Sequence, residues 1–180
     1  LRLMVREERT VDLEEHLSDG RFDMIISTPE DHPGTRSHPI VKENIYICVA
    51  PDDPLAKAKG PIDIKALESR ELLTLGYGHK FALVVKNLAA VAGATTSGIY
   101  EGTSLDAIRQ MASMGESVAV LPSLYAISEA KRDPQLIVRP INHPLAQRQI
   151  SLIWRQTSPM GSKFNKIGDI FEQTAQAIMS

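Results

Sequence analysis

Cysteine is almost missing from this 180-residue chain: the only one is Cys48, so no internal disulfide can form, and no Cys/His grouping has the spacing of zinc ligands. These two absences suit a reducing compartment, so a cytoplasmic location and no bound metal are expected. An excess of positive charge is missing too. Against 22 Asp+Glu stand 20 Lys+Arg, a formal charge of −2, which lacks the positive field needed to hold a phosphate backbone. The apolar runs fall far short of the roughly 20 residues that span a bilayer, which argues against a membrane partner. The opening LRLMVREE alternates and then turns charged, with no apolar core of a secretory leader. There is no G-x-S-x-G elbow, no phosphate-binding P-loop and no identifiable pair of catalytic carboxylates, so an enzyme is not expected and no cofactor is implied. Repeats, heptads and low-complexity tracts are likewise missing. What remains is a chain with 43% hydrophobic residues, enough to bury a core in one domain or two small lobes.

Alternation of Leu1, Leu3 and Val5 with Arg2, Met4 and Arg6 predicts an opening strand with one buried face. Thr10 then precedes Val11, Leu13 and Leu17, a short helix with Thr10 as its N-cap and Gly20 as its stop. FDMIIS at 22–27 reads as a strand buried on both faces, completing a βαβ unit. Residues 30–39, rich in proline, read as a loop, and NIYICVA at 44–50 as the next strand.

From Pro51 the rhythm starts again, with a short helix near 63–68, a strand at 71–75 and an amphipathic helix carrying Phe81, Val84, Val85, Leu88 and Val91 up to Gly93. A strand at 97–101, a helix opened by Thr103-Ser104-Leu105-Asp106 in capping-box spacing, and a strand at 117–121 stopped by Pro122 complete a βαβαβ array. Strands follow at 136–138 and 149–155. The segments 44–50 and 149–155 bracket the second lobe like a pair of connecting strands. The closing stretch 163–179 is a helix with Phe164, Ile167, Ile170, Phe171, Thr174 and Ile178 on one face, returning to cover the first lobe.

Several of these stretches carry a family likeness. The run 1–27, ending in LSDGRFDMIIS, the stretch EGTSLDAIRQMASMGESVAVLPSL at 101–124 and the strand ISLIWRQTSP at 150–159 resemble the effector-binding domain of LysR-type transcriptional regulators over essentially the whole chain. GYGHKF at 76–81 is similar to the corresponding loop of the OxyR-like, peroxide-sensing subgroup, but Lys80 and Ala89 stand where that subgroup has its reactive and resolving cysteines, and Ala82 where an arginine follows. The resemblance therefore implies no redox cysteines and no thiol switch. It implies an α/β fold of two Rossmann-like lobes joined by two crossover strands, like type 2 periplasmic-binding proteins. Residues 1–47 and 154–180 would form lobe I and 48–153 lobe II. Two pieces of the family pattern lie outside this sequence: the N-terminal winged helix-turn-helix, and the first strand and helix of lobe I.

The function implied is allosteric: a small, anionic effector in the inter-lobe cleft shifts the lobes, and homodimer or homotetramer contacts pass the shift to DNA held only through the N-terminal domain. Candidate ligand-binding residues are Thr10, Gly78, His79, Lys80, Thr103, Ser104 and Arg155. Each has a plainer reading. Thr10, Thr103 and Ser104 are also natural helix caps; Gly78, His79 and Lys80 could form an ordinary turn; Arg155 could make a surface ion pair. The partial G-x-G-x-x-G fails because Phe81 occupies its third glycine. His32, His38 and His143, near prolines, read as exposed, and Cys48 as a small core residue. Two other classes share the architecture: a solute-binding protein of a transport system, and a small-molecule enzyme built on similar lobes.

Overall fold

One strand sets the architecture. In a computed structural model, which describes residues 2–180, β2 (Thr35–Val49) runs through the whole molecule. Over 35–44 it pairs antiparallel with β8 (Gln147–Arg155), and over 45–49 it pairs antiparallel with β6 (Val118–Pro122) and β7 (Ile137–Asn142). The change of partners comes between Asn44 and Ile45.

Alternation explains why the second half of β2 is buried so deeply. Successive side chains of a strand point to opposite faces, so Ile45, Ile47 and Val49 enter one core cluster while Tyr46 and Cys48 enter another. The same division holds on β6, with Val118 and Val120 on one face and Ala119 and Leu121 on the other. β4 (Glu71–Leu73) pairs parallel with β6 and with the short β5 (Thr95–Thr96), giving the order β2-β6-β4-β5 in lobe II. The short β3 (Ile62–Asp63) extends β7 in parallel. Helix α2 (Lys80–Ala92) seats Phe81, Val85 and Leu88 on one face of the sheet; Gly93, in the left-handed conformation, ends it. Helices α3 (Leu105–Ser113) and α4 (Ser123–Arg132) cover the other face through Ile108, Ala112 and Ala126.

Lobe I is thinner. β1 (Met24–Ser27), β8 and β2 form an antiparallel sheet. α5 (Gly161–Met179) packs Phe164 and Ile167 against Leu152 and Trp154, and α1 (Thr10–Ser18) packs Leu17 against Ile25 and Ile153 on the opposite face.

Several expectations are corrected. The opening strand does not form: residues 2–9 join no ladder, and Met4 and Val5 are 84% and 86% exposed, because alternation alone cannot make a strand without a partner edge. Leu1, part of that expectation, lies outside the described residues. Without the strand there is no leading βαβ unit, and β1 is antiparallel with Ile26 pointing outward instead of buried on both faces. The expected loop at 30–39 is strand from Thr35 onward; Pro39 is tolerated because the register shifts there, so its missing N–H interrupts no regular ladder. The strand expected at 97–101 does not form; the short β5 lies just before it, at Thr95–Thr96. The helix α4 was not anticipated; Pro122 ends β6 and also starts this helix. On α5, Ile170 is 59% exposed, and Gly168 and Ala175 hold inward positions in its place.

Candidate functional site

Between the lobes lies a cleft of about 480 Å³, walled by Thr10, Ser27 and Asp31 from lobe I, His79, Lys80, Phe81 and Tyr125 from lobe II, and Glu43 and Arg148 from the crossover strands. The floor is a buried ion pair. Glu43, 1% exposed, receives the Arg148 guanidinium at 2.6 and 2.7 Å, and its second carboxylate oxygen accepts from Ser123 Oγ at 3.3 Å and from the Leu124 N–H at 3.5 Å. Those last donors sit in the first turn of α4, whose positive dipole end faces the carboxylate. Arg148 also lies 4.8 Å from the centre of the Phe81 ring, a cation–π contact that ties the crossover pair to α2.

The α2 N-terminus forms one wall. His79 occupies the N-cap position without capping by its side chain, and its Nε2 is buried with no hydrogen-bond partner. Burial holds the His79 pKa below the ordinary value, with the nearby Arg9 adding to the effect. The capping is supplied from the other lobe: Thr10 Oγ1 accepts from the Lys80 N–H at 3.4 Å. Thr10 is therefore not the N-cap of its own helix; that position belongs to Arg9, and Thr10 is the first helical residue. Lys80 Nζ donates to the Asp31 carbonyl at 3.1 Å and lies 3.5 Å from its carboxylate, a second bridge across the cleft. Gly78 lies in the adjoining loop, with φ of 91° that favours glycine, and its carbonyl accepts from the Val11 N–H at 3.3 Å.

The other sequence candidates are placed elsewhere. Ser104, not Thr103, caps α3, accepting from the Ala107 N–H at 3.2 Å, and both residues are exposed outside the cleft wall. Arg155 turns away from the cleft: its guanidinium donates to the Leu17 and Phe22 carbonyls at 2.5 and 2.8 Å, clasping the C-terminal end of α1. Among the histidines read as exposed, His32 is buried with Nε2 2.9 Å from Ser27 Oγ, and burial lowers its pKa. His38 is mostly covered, and His143 Nδ1 accepts from the Leu145 N–H. Cys48 is fully buried with its thiol pushed up to about 11 by desolvation. Asp31, Glu43, Phe81 and Arg148 were missed, although Glu43 and Arg148 face each other in the register of the two crossover strands, so aligning those strands would have paired them.

The model of the LysR substrate binding domain matches residues 1–176. The chain belongs to that family. Among curated relatives of this LysR domain, the hydrogen peroxide-inducible genes activator of Haemophilus influenzae is 24% identical over 99% of the chain and 59% of its own length. The DNA-binding transcriptional dual regulator OxyR of Escherichia coli is 26% identical over 94% of the chain and 55% of its own length. The chain thus spans a little over half the length of these relatives. Among solved structures, the reduced OxyR regulatory domain of Pseudomonas aeruginosa is 30% identical, with a TM-score of 0.76 over 92% of this chain and 79% of that one. The oxidized form of OxyR superposes with a TM-score of 0.80 over 100% of this chain and 84% of that one at 24% identity, a likeness of fold. The α/β, two-lobed, periplasmic-binding-like architecture and the effector-binding class of a LysR-type regulator follow, and the transport reading is not favoured. No described helix is long and apolar enough to cross a membrane.

Proposed function

We propose that the inter-lobe cleft of this LysR-family domain binds a small effector with an apolar body and one anionic group, and that it acts by binding, not by turnover. The observation that carries this reading is the α2 N-terminus on the cleft wall, with the Lys80 ammonium and the unpartnered His79 Nε2 beside it. A helix N-terminus offers N–H groups to an anion, an unpaired buried nitrogen gains a partner when a ligand arrives, and Leu75, Phe81 and Val84 supply apolar walls. The cleft falls in the size range of small-molecule sites. An effector bridging Thr10 and Lys80 changes the relative stability of lobe arrangements only by its differential affinity for them. Self-association then passes the shift to a DNA-binding domain outside this chain, in the cytoplasm.

Binding titrations of the chain with small carboxylates and their neutral amide isosteres test this. Carboxylates should bind at least tenfold tighter, and Lys80→Ala should remove that preference. Equal binding of both series, or a preference unchanged in Lys80→Ala, overturns it.

A further inference from the structure

The outer face of lobe I carries a side-chain cluster that the cleft does not use. His38 projects from β2 toward α5, where Asp169 and Glu172 lie one turn apart; one ligand atom from each of the three lies within 4.8 Å of the others. His38 Nε2 stands 3.5 Å from Asp169 Oδ1 and 3.8 Å from Glu172 Oε2. Both distances exceed the usual N–H···O range of about 2.7–3.2 Å, and Nε2 is a buried atom without a hydrogen-bond partner. The gap is instead the width that an ion fills. Zinc–ligand distances of about 2.0–2.2 Å in tetrahedral geometry put neighbouring ligand atoms about 3.4 Å apart.

Two further features aim the ring. His38 Nδ1 lies 3.2 Å from Asn165 Oδ1, one turn before Asp169 on α5; with Nδ1–H donating there, Nε2 keeps its lone pair toward the two carboxylates, the usual outer-shell orientation of a metal-bound histidine. Gly168 lets the imidazole lie against the helix backbone, since a Cβ there would overlap the His38 ring. Glycine inside a helix costs about 1 kcal/mol relative to alanine, and here it makes room for the histidine.

We propose that His38, Asp169 and Glu172 form a divalent transition-metal site of zinc type, with Asn165 positioning the imidazole and water completing the coordination. The imidazole ligand disfavours magnesium and calcium, which take oxygen. Bound metal would fasten α5 to the outer half of the strand that continues into lobe II. Sequence spacing could not show the site, because the ligands come from opposite ends of the chain.

Calorimetric titration of the chelator-treated chain with zinc chloride tests the site, with Co²⁺ as a visible-absorption probe of coordination. One zinc per chain is expected, with the intense d–d bands of four-coordinate Co²⁺. Asp169→Asn with Glu172→Gln, the first at an exposed and the second at a partly exposed position, should weaken zinc binding at least a hundredfold while leaving the metal-free Tm unchanged. Asn165→Ala should weaken it about tenfold. Absence of zinc binding to the wild-type chain, binding unaltered in the double variant, or only the weak bands of six-coordinate Co²⁺ would each overturn the proposal.

Discussion

In lobe II the strands β2, β6 and β4 are covered on both faces, and Ile47, Leu72, Leu88 and Ile108 have no measurable exposure. In lobe I the sheet ends at β1, whose Ile26 is 52% exposed, and residues 2–9 join no ladder. Both lobes carry short apolar strand segments, MIIS in β1 and VAVLP in β6. The difference is position: strands inside a sheet with helices on both sides acquire cover on both faces as the chain winds, whereas an edge strand keeps whatever cover happens to reach it. Alternation measures the capacity to be buried, and topology decides whether that capacity is used.

The crossover pair joins the two regions and should give the largest effect. Arg148→Met leaves the Glu43 carboxylate buried without its cation and should lower stability in urea unfolding by about 3–5 kcal/mol; replacing both partners with apolar residues should recover most of the loss. Next, Leu88→Ala in the covered face of lobe II should cost about 2–5 kcal/mol, while Ile26→Ala on the open edge should stay within about 0.5 kcal/mol. Equal losses would break the comparison between the lobes. Amide hydrogen exchange sharpens it further: residues 2–9 should exchange without protection, while β6 should exchange only on global opening. Cys48, with its thiol pushed up to about 11, should resist alkylation at pH 8 in the native state and react once the chain is unfolded in urea.

The smallest effect is that of pH. His32 and His79 both have folded pKa values lowered chiefly by burial, so the unfolded chain binds protons more readily than the folded one. Stability is then fully present above the ordinary histidine value of about 6.5 and declines as pH falls below it. Thermal unfolding followed from pH 7.5 to 5 should show this decline, and His32→Gln with His79→Gln should flatten it. A decline of the same slope in the double variant would assign it to other groups.

Helix α2 was legible because its signals are local and agree with one another: the stripe from Phe81 to Leu88 and the left-handed stop at Gly93 each specify one structure. The crossover segments were legible as a pair, and the resemblance carried their role. Edge assignments were not legible. Leu3 and Val5 carry a strand pattern, but nothing in the chain's periodicity states whether a neighbour lies beside them. At the site, His79 and Lys80 were visible because a glycine-bearing turn between strand and helix marks a cleft wall. Asp31 and Glu43 stayed hidden, since a carboxylate's role there is defined by a cation distant in sequence. Caps shift by one residue for a related reason: Thr10 and Thr103 have the right chemistry, but Arg9 and Ser104 hold the capping positions.

The continuity of β2 has a mechanical meaning. Because the same strand serves lobe I through Asn44 and lobe II from Ile45, one lobe cannot swing against the other as on a slack linker; it can turn only by twisting a hydrogen-bonded ribbon. Such an element behaves as a torsion spring, with Glu43 and Arg148 clamped at its midpoint. Small rotations with a restoring force, in place of wide opening and closing, are the motions this joint permits.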